Sequence, residues 1–362
     1  MLYTCSPARA AHATLKAKRR GPGRARTTTV DIHCHVHTPE ADTLVKHVFH
    51  PESDSLTRFA NAATREVNRR QGETIRTKLT SVAQRLKDMD KAGIDIQAIS
   101  TAPGQYYYWT EPGLGREVAR TINNRLAEIV AGNPDRFVAL ASVPLQAPAL
   151  AVAELERAVK TLGMRGVEIC TDVGGEELSN ERFRPFFAKA EELGILVFMH
   201  PSGYTNGERL AEHYFINVIG NPLASTVAVS HLIFGGVLDR YPKLKLVIAH
   251  GGGFLPAYSG RMDHAHRARA DCRQRIAKRP TSYLRKLYFD TIVFTDHQLE
   301  YLVRQWGANH VLLGSDYPYD MADPDAVGAV MGARISAADK EAVLGGNAAR
   351  LLGIKLPKKG KR

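Results

Sequence analysis

The sequence predicts an α/β fold, a (β/α)8 TIM barrel, and three observations lead to that fold class. Eight short runs rich in apolar and β-branched residues recur along the 362-residue chain. Most of them are separated by a segment with helical character, an alternation that implies a parallel sheet. Eight such repeats are the number that closes a sheet into a barrel. An open doubly wound sheet is the alternative, but nothing in the chain resembles its glycine-rich nucleotide-binding turn.

The predicted strands follow one another from residue 29 to residue 316. They are Thr29–His35, Ile94–Ser100, Phe137–Val143, Gly166–Thr171, Ile195–His200, Leu244–His250, Leu287–Val293 and Val311–Asp316. The predicted helical segments lie between the later strands, and one more follows the eighth. They are Gly115–Ala131, Ala149–Leu162, Arg182–Leu193, Asn206–Arg240, Phe254–Ala277, Asp296–Trp306, Pro324–Ala333 and Ala337–Leu352. Residues 36–80 are a polar insertion after the first strand, and in a barrel such loops form the rim of the active site.

The net charge of +12 is carried by the two ends of the chain. Residues 1–28 hold seven basic residues and no acidic one, and residues 355–362 hold five more. The remaining 29–354 are therefore balanced in charge, and we expect one catalytic domain there between two basic disordered ends. The body of the chain is not that of a nucleic-acid-binding protein, although loose contact of the ends with RNA or a membrane surface is an alternative.

Four widely spaced cysteines (Cys5, Cys34, Cys170 and Cys272) form no CxxC pair. This spacing fits free thiols in a reducing compartment better than a disulfide framework. No apolar run is expected to reach the length of a membrane span, and the basic N-terminal segment lacks the apolar stretch of a secretory signal. We expect a cytoplasmic protein without a membrane partner, while an organellar transit peptide stays open on composition.

The first predicted strand carries the most informative motif, Val30-Asp31-Ile32-His33-Cys34-His35. Side chains alternate between the two faces of a strand, so His33 and His35 point the same way and Cys34 points oppositely. Two imidazoles on one face of a rigid strand can share a metal ion. The motif alone is a weak indication, and it gains weight only if further ligands lie at the ends of later strands.

Three later strands supply such ligands at their carboxyl ends. The fifth strand ends in His200, the sixth ends in His250 before three glycines, and the eighth ends in Asp316. The carboxyl ends of barrel strands surround the active site, so these side chains are expected to converge. Histidines with one carboxylate suit a borderline divalent ion such as Zn²⁺, with Mn²⁺ as the alternative, and leave a position open for water or substrate. The fourth strand has no lysine to bridge two metals, which favours a single ion.

With these motifs the chain resembles the amidohydrolase superfamily, and within it the amino-carboxymuconate-semialdehyde decarboxylase family, which includes γ-resorcylate decarboxylase. This resemblance implies a TIM barrel of the metal-dependent hydrolase type. The resemblance covers the first strand and nearly everything from about residue 82 to residue 354. The motifs that carry it are DIHCH, LKDMDKAGID, NPDRF, MHP, HLIFGGVLDRYPKLKLVIAHGGG, GRMDH and GSDYP.

The resemblance implies the roles of the site residues. The implied metal ligands are His33, His35, His200 and Asp316, and His250 is implied to hydrogen-bond metal-bound water and to act as an acid or base. The carboxylate-binding arginine of the family matches Arg261, which in some relatives reaches in from a neighbouring subunit, so a homodimer is expected. A second such arginine matches Arg76 if the alignment is extended backwards without gaps. For both arginines an exposed surface charge is the alternative.

One departure concerns the pocket. After His200-Pro201 the decarboxylases that this chain resembles have a tryptophan over the substrate, whereas this chain has Ser202-Gly203-Tyr204. Tyr204 can supply a ring from a shifted position. Asp290, at the end of the seventh strand, faces the same mouth and is expected either to hydrogen-bond a ligand or to form a salt bridge or cap elsewhere.

The implied activity is metal-dependent, non-oxidative decarboxylation of a small unsaturated or aromatic carboxylic acid, with no organic cofactor. Asp316 is implied to serve as both ligand and proton donor. The same site also suits hydrolysis of a lactone, an amide or a vinylogous ketone, and the fold alone does not separate the two reactions.

Overall fold

The barrel of this protein is seen in a computed structural model that describes residues 27–356. The two predicted basic ends lie almost wholly outside the described residues. The eight barrel strands are β1 (Val30–Val36), β2 (Ile96–Thr101), β3 (Phe137–Ala141), β4 (Gly166–Ile169), β5 (Leu196–Met199), β6 (Lys245–Ile248), β7 (Tyr288–Asp290) and β8 (Val311–Leu312). Neighbouring strands pair in parallel in chain order.

The sheet closes on itself between β1 and the segment that continues β8. The Ile32 amide donates to the Leu313 carbonyl at 2.9 Å, and the His35 amide donates to the Tyr317 carbonyl at 2.9 Å. Closure leaves no unpaired edge on the sheet. The predicted (β/α)8 barrel is therefore confirmed.

Helices surround the barrel. The α-helices are Pro39–Val45, Ser55–Arg58, Ala62–Thr80, Val82–Ala92, Pro112–Gly132, Pro148–Lys160, Arg184–Leu193, Phe215–Val218, Gly220–Phe234, Val237–Arg240, Leu255–Tyr258, Gly260–Ala268, Thr281–Leu284, Asp296–Trp306, Ala326–Gly332, Ala337–Glu341 and Asn347–Leu352. The predicted helical stretches 206–240 and 254–277 are thus divided into shorter helices. A small antiparallel hairpin, Asp172–Val173 with Glu176–Glu177, follows β4, which ends at Ile169 rather than at the predicted Thr171.

The lower half of the barrel interior is filled with apolar side chains. Val30, Ile32, Leu140, Phe198 and Val247 are all fully buried there. The last helix, Asn347–Leu352, packs against this cluster and plugs the amino-terminal end of the barrel. Polar side chains inside the barrel therefore have room only toward the carboxyl ends of the strands.

A β-bulge in β1 turns both histidines of the first motif into the barrel. Asp31 pairs with Gln97 and Cys34 pairs with Ile99, so β1 has one residue more than β2 between these pairs. An extra residue re-aims the side chains that follow it. As a result Ile32 and His33 both contribute to the interior, whereas Cys34 packs outward between barrel and helices.

The insertion after β1 lies across the mouth of the barrel. Asp54 accepts a hydrogen bond from the Ser202 hydroxyl at 3.1 Å, just beyond the end of β5. Gly203 has φ of 78°, and a Cβ there would lie 3.0 Å from Ser55 Cβ and 3.1 Å from the Leu56 amide nitrogen. Only glycine allows the two segments to approach so closely.

One stretch of the described chain, Phe215–Phe234, is long and apolar enough to cross a membrane by length and composition. Half of it is buried inside the fold. Val229 and Ile233 of this stretch pack into the layer between barrel and helices. Because it occupies the position of the helix between β5 and β6, we interpret it as a core helix of the barrel.

Candidate metal centre

Five side chains from four strands meet at the carboxyl-terminal mouth of the barrel. His33 and His35 lie in β1, His200 directly follows β5, His250 follows β6, and Asp316 lies beyond β8. The His250 side chain is 15% exposed and the others are almost completely buried. The structure thus brings together residues that are up to 283 positions apart in the sequence.

Asp316 lies at the centre of this cluster. Its Oδ1 is 3.2 Å from His33 Nε2 and 3.3 Å from His35 Nε2, and its Oδ2 is 3.6 Å from His250 Nε2. The His200 ring centroid is 4.9 Å from that of His33 and 4.8 Å from that of His35. One candidate ligand atom each from His33, His200, His250 and Asp316 lies within 4.8 Å of the others. Two nitrogen ligands of one zinc ion, each at about 2.1 Å, lie at most about 4.2 Å apart, so the cluster is only slightly wider than a metal site.

Hydrogen bonds from Nδ1 of His33 and of His35 orient both rings so that Nε2 faces Asp316. His35 Nδ1 donates to the Thr101 carbonyl at 2.9 Å, and His33 Nδ1 donates to Asp290 Oδ2 at 2.6 Å. A carbonyl can only accept, so the proton of neutral His35 must be on Nδ1 and its Nε2 carries a free lone pair. Partners of this kind fix the tautomer and orientation of metal-binding histidines.

The buried ring nitrogens show that the residues present fit a metal ion. Nε2 of His33, Nε2 of His35 and both ring nitrogens of His200 are buried without a hydrogen-bond partner. A buried polar atom without a partner costs free energy, and such groups require an explanation. A divalent cation held by these nitrogens and by the Asp316 carboxylate satisfies all of these groups at once except one nitrogen of His200.

The electrostatics favour an anionic Asp316 carboxylate and a neutral His200 imidazole. Burial raises the pKa of Asp316, but His33 and His250 outweigh it and hold that pKa well below its usual range. Burial lowers the pKa of His33, but Asp316 and Asp290 outweigh it and hold that pKa well above its usual range. Burial and the neighbouring imidazoles hold the pKa of His200 well below its ordinary value. His200 is therefore neutral at pH 7, as a metal ligand must be.

Unusual backbone conformations place two of these side chains. His250 has φ of 55° and Asp316 has φ of 58°, which lie in the left-handed region that residues with a Cβ rarely adopt. Gly251, with φ of 62°, follows His250, and a Cβ on it would meet Val293 Cγ1 at 2.3 Å. The glycine run after β6 thus allows the chain to turn sharply and to leave His250 at the mouth.

Asp290 accepts hydrogen bonds from several groups of the site. Besides His33 Nδ1, it accepts from the backbone amides of Gly251 at 2.7 Å, His250 at 3.0 Å and Ile292 at 3.1 Å. It therefore joins β7 to the turn that carries His250 and to a histidine of β1.

Glu168 is a polar residue of the site that the sequence did not indicate, and its partner is Tyr106, which belongs to an aromatic run predicted either to wall the pocket or to pack in the core. Glu168 of β4 is buried, one of its oxygens accepts a short hydrogen bond from the Tyr106 hydroxyl, and the other has no partner. The Tyr106 hydroxyl also lies 3.2 Å from the His200 carbonyl oxygen. The alternation of side chains along β4 could have indicated this position. Val167 and Ile169 pack outward, so Glu168, which stands between them, faces the barrel interior.

A cleft of about 180 Å³ opens beside this site. It lies between residues 52–58 of the insertion and the aromatic run 106–109, and Ser202, two residues after His200, also lines it. The aromatic run thus contributes a wall to the mouth of the barrel. The cleft has the position of a substrate pocket at the carboxyl ends of barrel strands.

The structure does not bring the three predicted substrate contacts to the cluster. Arg76 is exposed on the helix Ala62–Thr80, and Arg261 is exposed on the helix Gly260–Ala268. Within residues 27–356, neither arginine forms an ion pair or a hydrogen bond with a side chain of the cluster. Tyr204 lines a separate cavity of about 60 Å³ beside Asp172 and Thr205.

A closed (β/α)8 barrel with buried histidines and an aspartate at the carboxyl ends of its strands defines a metal-dependent barrel enzyme. A family model described as Amidohydrolase matches residues 30–354. This chain belongs to the amidohydrolase family, and the predicted resemblance is confirmed. The chain is 34% identical over 272 residues to the 2-amino-3-carboxymuconate-6-semialdehyde decarboxylase of Dictyostelium discoideum, covering 75% of this chain and 76% of that protein.

Solved structures show the same barrel. The crystal structure of 5-carboxyvanillate decarboxylase from Sphingomonas paucimobilis has a TM-score of 0.82 and 26% identity, and the match covers 91% of this chain and 100% of that one. Dihydroxybenzoic acid decarboxylase from Polaromonas sp. JS666, solved with bound manganese and the inhibitor 2-nitroresorcinol, has a TM-score of 0.78 and 24% identity. That match covers 92% of this chain and 99% of that one, and it concerns the fold.

Proposed function

We propose that this protein is a metal-dependent, non-oxidative decarboxylase of a small aromatic or unsaturated carboxylic acid. The observation that carries the proposal is the group of buried imidazole nitrogens without partners around Asp316, in a chain whose relatives are decarboxylases. The proposed ligands of one divalent metal are His33, His35, His200 and Asp316. We assign His250 as the general acid or base, because its side chain is the most exposed of the cluster.

The residues perform the reaction as follows. When bound, a divalent metal polarises the oxygens of the substrate, so that the conjugated system can accept electron density. The bond between the substrate carbon and its carboxylate breaks, CO₂ leaves, and the electron pair remains on the carbon. A proton then takes the place of CO₂ on that carbon. Asp316, an anion in the resting site, first takes a proton at Oδ2 from His250 Nε2, which lies 3.6 Å away toward the mouth of the barrel, and then passes it to the carbon.

The substrate is a small carboxylate bound in the cleft between residues 52–58 and 106–109. Arg261 and Arg76 are proposed to hold carboxylate oxygens in a bidentate manner, and Tyr204 to contribute a ring. Because both arginines lie at the surface of one chain, a partner subunit or a movement of the insertion has to complete the pocket.

The surface near Arg261 supports a homodimer. Phe254, Tyr258, Phe294 and Tyr301 are exposed apolar residues, with Tyr258 70% exposed. Tyr301 donates a hydrogen bond to the Pro256 carbonyl at 2.9 Å, so the two segments adjoin. An apolar surface of this kind is typical of an interface. We propose that a second copy covers it and that each subunit donates Arg261 to its partner's site.

A mixing experiment tests the shared site. His200→Ala and Arg261→Ala homodimers are each expected to be inactive. Mixed and allowed to exchange subunits, they should regain about a quarter of wild-type activity, because each mixed dimer has one intact site. A mixture that stays inactive although mass spectrometry shows mixed dimers contradicts the role of Arg261 across the interface.

The reaction and the metal are tested on purified protein. Metal-free protein is loaded with Zn²⁺ or Mn²⁺ and assayed with hydroxybenzoates, muconate semialdehydes and lactones in H₂¹⁸O. Release of CO₂ without ¹⁸O in the product supports decarboxylation, and an ¹⁸O-labelled carboxylate product supports the alternative, hydrolysis. Zinc is the metal we propose, and higher turnover with manganese contradicts that choice.

The free thiols of Cys34, Cys170 and Cys272 support a cytoplasmic location, which cell fractionation tests.

A further inference from the structure

A buried carboxylate on the outer face of β1, that of Asp31, has no part in the reaction described above. It is completely buried and accepts four hydrogen bonds. Its Oδ1 accepts from the backbone amides of His33 at 3.1 Å and Ser315 at 3.0 Å. Its Oδ2 accepts from the Ser315 hydroxyl at 2.6 Å and from Gln97 Nε2 at 3.0 Å. Every donor lies either in a segment that carries a proposed metal ligand, that of His33 or that of Asp316, or in β2, which pairs with β1.

A buried arginine extends this set of contacts. Arg85, on the helix Val82–Ala92, donates through Nη1 to Gln97 Oε1 at 3.0 Å. It also donates to the carbonyl oxygen of His35, and its guanidinium stacks on the ring of Tyr317 at 4.8 Å from the centroid. The chain of contacts from Arg85 through Gln97 to Asp31 therefore reaches the backbone of His33 and of His35. We call Asp31, Gln97 and Arg85 the seam network.

The seam network lies beside two segments whose backbone departs from regular structure. β1 contains the bulge between Asp31 and Cys34, and Asp316 has a left-handed backbone with φ of 58°. The Asp316 amide donates to the His33 carbonyl at 2.8 Å, so the two irregular segments are bonded to each other. Backbone conformations of this kind persist only when the surroundings hold them, and hydrogen bonds from amides to a carboxylate are among the strongest available.

We propose that Asp31, held by Gln97 and Arg85, is a positioning residue that sets His33 and Asp316 at the mutual distance required for metal binding. It acts through the backbone of its own strand and of Ser315, and it touches neither substrate nor metal. The inference rests on the proposed metal site, but it is independent of which reaction that site performs.

Asp31→Asn is the direct test. An amide has one acceptor oxygen, and its NH₂ group would face the donors of Ser315 and Gln97. We expect a folded protein whose affinity for Zn²⁺ or Co²⁺ in chelator competition falls by about 10–100-fold, the usual effect of losing support for metal ligands. The absorption spectrum of the Co²⁺ form should change, because it reports ligand geometry. The double variant Asp31→Asn with Gln97→Glu restores an acceptor for the new amide and keeps the bond to Arg85, so it should recover most of the affinity.

Glu154→Gln is the matched control. Glu154 is a buried carboxylate bonded to Asn123 and Arg157, away from the metal centre. It should lower thermal stability without changing metal affinity or the Co²⁺ spectrum. If Asp31→Asn behaves as this control does, the positioning role is wrong. If Asp31→Asn does not fold, Ser315→Ala is the second test, and unchanged affinity and spectrum in that variant overturn the proposal. It removes the hydroxyl that donates to Asp31 Oδ2 at 2.6 Å and to the His33 carbonyl at 3.4 Å and that accepts from the Tyr317 amide at 3.2 Å. Failure of the wild-type protein to bind metal overturns the metal site itself, whereas lack of decarboxylation overturns only the proposed reaction.

Discussion

Replacing Asp290 by asparagine should weaken metal binding through His33, although Asp290 is not a proposed ligand. Oδ2 of Asp290 accepts from His33 Nδ1 at 2.6 Å and from the His250 amide at 3.0 Å. Oδ1 accepts from the amides of Gly251 at 2.7 Å and Ile292 at 3.1 Å. In either orientation the asparagine NH₂ group faces two donors. His33 can relieve one clash by accepting at Nδ1, but its proton then lies on Nε2, the atom that faces Asp316.

The magnitude follows from these contacts. Loss of a partner of a metal-binding histidine costs about 10–100-fold in affinity, or about 1.4–2.7 kcal/mol. Two buried donors without acceptors cost about 1–3 kcal/mol each in the free energy of unfolding of the metal-free protein. Both effects are measurable separately, by chelator competition and by denaturant titration.

The control for this variant is Asp271→Asn. Asp271 pairs with Arg269 on the surface, and both side chains are more than half exposed, so neither metal affinity nor stability should change measurably. The reasoning is refuted if Asp290→Asn binds metal as tightly as Asp271→Asn does, because the orientation of His33 would then not depend on its carboxylate partner.

Three further outcomes are expected. Gly251→Ala should destabilise the fold by about 1–3 kcal/mol and lower turnover, because residue 251 has a positive φ and the added Cβ would collide with Val293. Gly72→Ala, on an open helix surface, is the control and should not destabilise the protein in thermal melts. When the protein is alkylated at pH 8 and the labelled sites are mapped by mass spectrometry, Cys170 should stay unmodified while the partly exposed Cys272 reacts. Burial raises the pKa of Cys170 to about 12, so almost no reactive thiolate is present. Rapid labelling of Cys170 in folded protein contradicts this prediction. Removal of the metal should lower the free energy of unfolding by about 4 kcal/mol where the metal had been at 1,000 times its dissociation constant, and unchanged melting on chelation contradicts this. Acid unfolding of the metal-free protein should begin at higher pH, because folding then depends on an ionised Asp316. The low pKa of Asp316 contributes stability that is present above pH about 4 and lost as the pH falls.

The order of residues along the chain is sufficient to predict the barrel and the polar residues at its mouth. Apolar runs alternating with helical segments imply a closed parallel sheet, and His200, His250 and Asp316 stand at strand ends whatever the details of packing. Local spacing is sufficient for this because the carboxyl ends of parallel strands all meet at one end of a barrel.

Tertiary structure alone decided how these residues are held. The bulge in β1 depends on its pairing with β2, and the partner of His33 lies 257 residues away on β7. Glu168 is a buried carboxylate of the site only because β4 turns that face inward, and Arg76 lies on an exposed helix face that an ungapped alignment cannot foresee. Contacts between distant segments arise from packing and hydrogen bonding in three dimensions, and neither leaves a periodic signal along the chain.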